Sequence, residues 1–237
     1  MNARQQQIVR TLLEALPYIR RFSGATVVVA CEGAALHSDG LRRWLAEDLA
    51  LLRLVGMKPV LVHDEISTPA AEAMVALVRW HGAPAVPVVD LPTAALERLI
   101  EGAVLDVPVS GGGPWAGDAC GVAGELAAAV AAEKLIFLAD VEGVHDNDPT
   151  EQGVVSECDL DELGRLQAAG AVDDDMLPKI LAIRGALEAG VASAHVIDGR
   201  VEHALLLEIL TDAGCGTKVT RRKSPEGRCN AYGVGVA

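Results

Sequence analysis

The 237-residue chain carries 33 acidic against 20 basic residues, a formal charge of −13, with 51% hydrophobic and 3% aromatic residues. That sign argues against nucleic acid and anionic membrane as partners, and the length suits one large or two small domains with a real core. No run of 18 apolar residues occurs and the start, MNARQQQIVR, has no apolar leader core, so the expectation is a cytoplasmic protein. The cysteines Cys31, Cys120, Cys158, Cys215 and Cys229 are odd in number and none stand at CxxC spacing. They are read as thiols in a reducing compartment, with neither a disulfide framework nor a metal site.

In chain order, residues 3–21 place Ile8, Leu12, Leu13, Leu16 and Ile19 at helical spacing, and Pro17 is expected to kink or break that helix. ATVVVA (25–30) is a continuous apolar run, the mark of a strand buried on both faces. There follow a helix at 40–55, a strand at 58–62, a helix at 69–81, a short strand at 83–89, a helix at 93–102 and an extended stretch at 104–109. SGGGPWAG (110–117) is a loop whose glycines resemble a phosphate cradle but lack the Lys and Ser/Thr of one, so it reads as a plain turn. The alternation continues with an alanine-rich helix at 121–132, the strand KLIFLA (134–139), helices at 159–168 and 177–189, the strand SAHVI (193–197) and a helix at 201–212. Strands alternating with helices predict an α/β fold with a parallel sheet covered on both faces. From Lys218 on, Arg221, Arg222, Lys223 and Arg228 read as a mobile basic tail.

Three stretches carry a resemblance: VAGELAAAVAAEKLIFLADVEGVHD (122–146), DMLPKILAIRGALEAGVASAHVIDGR (175–200) and VEHALLLEILTDAGCGT (201–217). They resemble the acetylglutamate kinases of the amino acid kinase family; LPYIRRFSGATVVVACEG (16–33) and DLALLRLVGMKPVLVH (48–63) agree more loosely. The resemblance implies a three-layer α/β/α sandwich on a mainly parallel sheet. It implies an oligomerising N-terminal helix (1–22) and one domain (23–217), with a shortened substrate lobe to residue 110 and a nucleotide lobe from 111. It also implies transfer of the γ-phosphoryl of ATP, held with Mg, to a side-chain carboxylate in the acetylated route to arginine.

Against that pattern the phosphate end has changed. Where the family has a lysine and two glycines after its first strand, this chain has Ala30, Cys31, Glu32 and Gly33; where it has a histidine and three glycines after its second, this chain has His63, Asp64, Glu65 and Ile66. Carboxylates there repel phosphate. The family's Asn-x-Asn-Ala-Asp aligns with Ala116, Asp118 and Cys120, so Asp118 is the candidate for the organising aspartate. Met176-Leu177-Pro178-Lys179 matches the family's Met-x-Pro-Lys, which makes Lys179 the candidate for charge stabilisation; spacing alone would make it a solvated lysine. Asp173, Asp174 and Asp175 add negative charge just before it. Asp140, Gly143 and Val144, with Met176 and Lys179, match the nucleoside end of an ATP site. No substrate-holding arginine can be placed; Arg79, in a helix, is the nearest.

The N-terminal helix and the stretch HALLLEILTDAGCGT resemble the arginine-inhibited branch of the family. By that resemblance Tyr18, Glu208, Gly214 and Gly216 line an arginine site, and the helix pairs subunits into a dimer or hexameric ring. Three readings follow. The first is a homo-oligomeric regulatory or assembly subunit without phosphoryl transfer and without a nucleotide cofactor, sensing arginine or a related small molecule, with an active kinase as a partner chain. The second is an active carboxylate kinase using ATP, Lys179 and Asp118. The third is a new activity drawing on Asp64, Glu65, Cys31 or Cys120.

Overall fold

The computed structural model describes residues 3–31, 38–64, 68–88, 101–109, 117–146, 153–211 and 214–222. The chain runs α1 (Ala3–Phe22), β1 (Thr26–Cys31), α2 (Asp39–Leu54), β2 (Lys58–His63), α3 (Thr68–Trp80), β3 (Ala85–Pro87), β4 (Val104–Pro108), α4 (Ala119–Ala129) and β5 (Lys134–Ala139). It continues β6 (His145–Asp146), β7 (Gly153–Val154), β8 (Glu157–Asp159), α5 (Leu160–Ala168), a 3₁₀ turn (Asp174–Met176), α6 (Leu177–Glu188), β9 (Ser193–Asp198), α7 (Ala204–Leu210) and β10 (Gly216–Thr220).

Eight strands form one sheet in the order β3-β4-β2-β1-β5-β9-β10-β8, and β6 and β7 form a separate ribbon. Pairing is parallel from β3 to β9; β10 runs against β9 and carries β8 alongside it. The apolar runs explain the layers. In β1, Val28 and Ala30 face α4, α5 and α6, while Val27, Val29 and Cys31 face α1, α2, α3 and α7. Both sets are buried, so each strand needs helices on both sides. This is the expected α/β/α sandwich, and its single sheet spans both lobes proposed from the sequence.

Several expectations need correction. α1 is not broken at Pro17, one of the two outcomes expected there. The proline removes one backbone donor, but it stands on an exposed side of the helix with Leu13 and Leu16, where water can satisfy the freed carbonyl. β3 is only three residues long and ends on Pro87, as suits a sheet edge. The last helix starts at Ala204 rather than 201, because His203 adopts left-handed dihedrals (φ 56°) and starts the helix afresh. Lys218–Thr220, assigned to a mobile tail, lie in β10 between β9 and β8. Of the helix expected at 93–102, residues 93–100 lie outside the described residues, as do Glu32, Gly33, Glu65, Ile66, residues 110–116 and residues 223–237. Among the described residues no helix is long and apolar enough to cross a membrane.

α4 and α6 pack closely because α4 has Gly124 at the crossing. A Cβ there would stand 3.1 Å from both the Cβ and the carbonyl oxygen of Ala182. Gly124→Val therefore overpacks the crossing and should lower stability by about 2 kcal/mol, read as a reduced urea midpoint at unchanged m-value.

Candidate functional site

The carboxyl ends of the parallel strands are where open α/β sheets bind ligands. β2 ends there in His63, and Asp64 follows. The Oδ1 of Asp64 accepts the Ala119 N–H, the first amide of α4, at 3.0 Å. Asp118 caps the same helix, its Oδ1 accepting the Gly121 N–H at 2.7 Å. Two side-chain carboxylates thus take two of the first-turn amides and face the positive end of the dipole, groups that would otherwise hold an anion. Asp118 is therefore a helix cap. Ala30, where the family has a lysine, is buried among apolar side chains.

The candidate nucleoside residues stand at the same end of the sheet. Asp140 follows β5, and the turn from it is pinned by the Val144 N–H, which donates to Thr217 Oγ1 at 2.8 Å. Gly143 is required there, since a Cβ would meet Thr217 Oγ1 at 2.6 Å and Val154 at 2.7 Å. Met176 is buried in the 3₁₀ turn before α6. Lys179 is 7% exposed and its Nζ donates to the Asp175 carbonyl at 3.2 Å. It is a buried lysine folded back on its own turn rather than a solvated one. A cleft of about 650 Å³ opens beside these residues between α4 and α6. Asp118, Glu125 and Asp174 on its walls add negative charge.

A second polar cluster lies under α7 and the end of α1. Lys134 and Ser193 open β5 and β9, and His195 stands two residues into β9. Lys134 Nζ lies 3.1 Å from His195 Nε2, Ser193 Oγ lies 2.9 Å from the same nitrogen, and His195 Nδ1 lies 2.5 Å from Glu208 Oε1. An ammonium can only donate, so Nε2 is the acceptor and Nδ1–H donates to Glu208. Burial lowers the His195 pKa and keeps the ring neutral, against the opposing pull of Glu208. Burial alone would raise Glu208, but hydrogen bonds from His195 and the Cys215 N–H, with Lys134 nearby, hold its carboxyl below the usual value. The Cys215 N–H donates to Glu208 Oε2 at 2.7 Å. Burial, then the Glu208 charge, pushes the Cys215 thiol up to about 12, so it stays protonated. The Phe22 ring lies 4.9 Å from Lys134 Nζ, a cation–π contact from the end of α1.

Of the expected arginine residues, Glu208 is the centre of this cluster. Gly214 (φ 59°) makes the left-handed turn that aims the Cys215 amide at Glu208. Gly216 allows β10 to approach β9, since a Cβ there would overlap the Val196 carbonyl. Tyr18 lies half-buried on α1, packed against the core under α2, α3 and α7. Sequence reasoning missed Lys134, Ser193 and His195, although each is a polar residue in an otherwise apolar strand. Cys31 and Cys120 are fully buried. His63 Nε2 pairs with Asp106 Oδ1 at 3.1 Å inside the sheet. Among the described residues no three His, Cys, Asp or Glu side chains converge as a metal site.

A sequence profile of the amino acid kinase family matches residues 79–198. An acetylglutamate kinase of Caldanaerobacter subterraneus subsp. tengcongensis is 32% identical over 273 aligned positions, which cover 88% of this chain and 91% of that protein. That span exceeds the whole chain, so the alignment crosses positions this chain lacks. The fold is similar to N-acetylglutamate synthase from Neisseria gonorrhoeae in complex with coenzyme A and N-acetyl-glutamate: TM-score 0.77, 24% identity, 91% of this chain and 64% of that one. It is similar also to the same synthase in complex with coenzyme A and L-arginine: TM-score 0.74, 22% identity, 90% and 65%. The chain thus spans about two thirds of the synthase.

The cluster sets a sign for pH dependence. Burial lowers the Lys134 pKa from 10.5 to about 8. Between those values the unfolded chain binds more protons, so this group makes stability rise with pH across that window. Relative to Lys134→Met, the wild type should gain up to about 3 kcal/mol from pH 8 to pH 10.5, measured by urea midpoints at each pH.

Proposed function

The chain belongs to the amino acid kinase family, and from that premise we propose that it is an acetylglutamate-kinase-like regulatory or assembly subunit of arginine metabolism that transfers no phosphoryl group. The observation that carries this reading is Asp64 on the first amide of α4. Phosphoryl transfer needs amides and cations around the phosphates. A phosphate oxygen brought within about 4 Å of Asp64 would meet about 4 kcal/mol of repulsion. Ala30 supplies no cation, Asp118 is committed to capping, and Asp174 and Glu125 face the neighbouring cleft. Among the described residues, the side chains bonded to the α4 amides at this end of the sheet are carboxylates rather than cations.

The Lys134–His195–Glu208 cluster is the proposed small-molecule site, taking arginine. A guanidinium needs a carboxylate in reach and an α-carboxylate needs a cation; Glu208 and Lys134 supply one of each, and arginine would displace the donors that buried Glu208 now holds, His195 or the Cys215 N–H. The L-arginine complex of the Neisseria synthase, a protein of similar fold, supports this choice of ligand. α1 is proposed to pair with a second copy through its exposed Val9, Leu12, Leu13 and Leu16. The second reading, an active carboxylate kinase, draws on Lys179 at the start of α6, beside the cleft.

With MgATP, N-acetylglutamate and hydroxylamine, the purified protein should yield no hydroxamate above the no-enzyme control. Hydroxamate formation that Lys179→Ala abolishes would replace this reading with the second. Calorimetry should show arginine binding, weakened about 10- to 100-fold in Glu208→Gln; no binding to the wild type removes the sensing role. Leu12→Glu should reduce the oligomer mass measured by light scattering, and an unchanged mass removes the α1 pairing.

A further inference from the structure

α6 is apolar on the side it turns to solvent. Leu177, Leu181 and Gly185 stand four residues apart on one face, and the two leucines are 38% and 59% exposed. A surface helix ordinarily puts charge there. Beside this face runs the cleft of about 650 Å³ between α6 and α4, with Gly121 and Ala128 on the α4 wall. It follows both helices away from the strand ends, since Ala128 and Gly185 lie in their last turns. Small residues on both walls leave room for a third backbone to come close. The walls also carry the carboxylates of Asp118, Glu125 and Asp174, and none of the described residues lining the cleft is Lys or Arg.

These features select the occupant. A second copy presenting the same groove would bring carboxylates against carboxylates. An extended segment would find no strand edge to pair with, because both walls are helices whose backbone bonds are internal. We propose that the α4–α6 groove docks a basic amphipathic helix of a partner protein. Its apolar side chains pack on Leu177 and Leu181, and its Lys or Arg side chains face Asp118, Glu125 and Asp174. The chain's net charge of −13 draws such a helix in. The groove is separate from α1 and from the Lys134 cluster, so the docking depends neither on arginine nor on the pairing of copies.

The test is calorimetry of the full chain with a synthetic amphipathic helix of leucine and lysine. The lysine helix should bind, and Leu181→Lys should weaken it about 10-fold or more. Leu54→Lys, at a leucine equally open to solvent (61%) on α2 in the opposite layer, should leave binding unchanged. Glu125→Gln should weaken binding about 2- to 5-fold and reduce its dependence on salt. A helix of leucine and glutamate should not bind. The docking groove is overturned if the lysine helix does not bind, if Leu54→Lys costs as much as Leu181→Lys, or if the glutamate helix binds equally well. Binding that appears only after residues 223–237 are removed would make the chain's own stretch with Lys223 and Arg228 the occupant, and overturns the partner as well.

Discussion

A strand buried on both faces has no solvent to offer a polar side chain, and this constraint shapes most of the molecule. β1, β2, β5 and β9 are covered by helices on each side, so polar groups either stand where strands begin and end or are answered inside. Asp64 and Asp140 follow strand ends, and Lys134 and Ser193 open strands. Two buried strand residues take partners across the core: His63 pairs with Asp106 of β4, leaving His63 Nδ1 and Asp106 Oδ2 without partners, and His195 pairs with Glu208 of α7. Leaving either member of a pair alone in the core would be expensive. The two candidate sites are thus where the sheet tolerates polarity.

These two places have fared differently. At the carboxyl ends of the strands, two amides of α4 are taken by Asp64 and Asp118, and acidic residues face the adjoining cleft. Under α7, by contrast, a carboxylate, an ammonium and a neutral imidazole remain in mutual reach. The described residues bond charges of both signs to one another at one place and put carboxylates on helix amides at the other. β5 spans the distance between them, from Lys134 to the turn at Asp140, about 20 Å for a strand of this length.

Much of this was legible in the sequence. The apolar runs ATVVVA, KPVLVH, KLIFLA and SAHVID are strands, and their continuous character gave the two-faced burial. β10 was hidden because GTKVT mixes glycine and lysine with few apolar residues, and its place comes from pairing with β9 and β8 at long range. The two-residue strands β6 and β7 carry too little pattern to see. Glu208 and Gly214 were singled out through the resemblance. Lys134 and His195 were passed over because a single polar residue in an apolar run looks incidental until its partner is known. The contact from Asp64 to Ala119 joins residues 55 apart, and no periodicity encodes it. Pro17 did not break α1, since the carbonyl it frees lies on the exposed side of the helix, where water reaches it.

The carboxylate on α4 differs from any dissolved anion in being tethered. Asp64 is attached to β2, and β2 and α4 pack in the same core, so its encounter with the Ala119 amide is intramolecular. Its effective concentration there is of millimolar order or more whatever the surroundings contain. A free phosphate or nucleotide arrives with only its own concentration and must first displace a competitor that cannot diffuse away. That competition is therefore independent of protein concentration, and a ligand opens this helix end only by outcompeting the effective concentration of the tethered carboxylate.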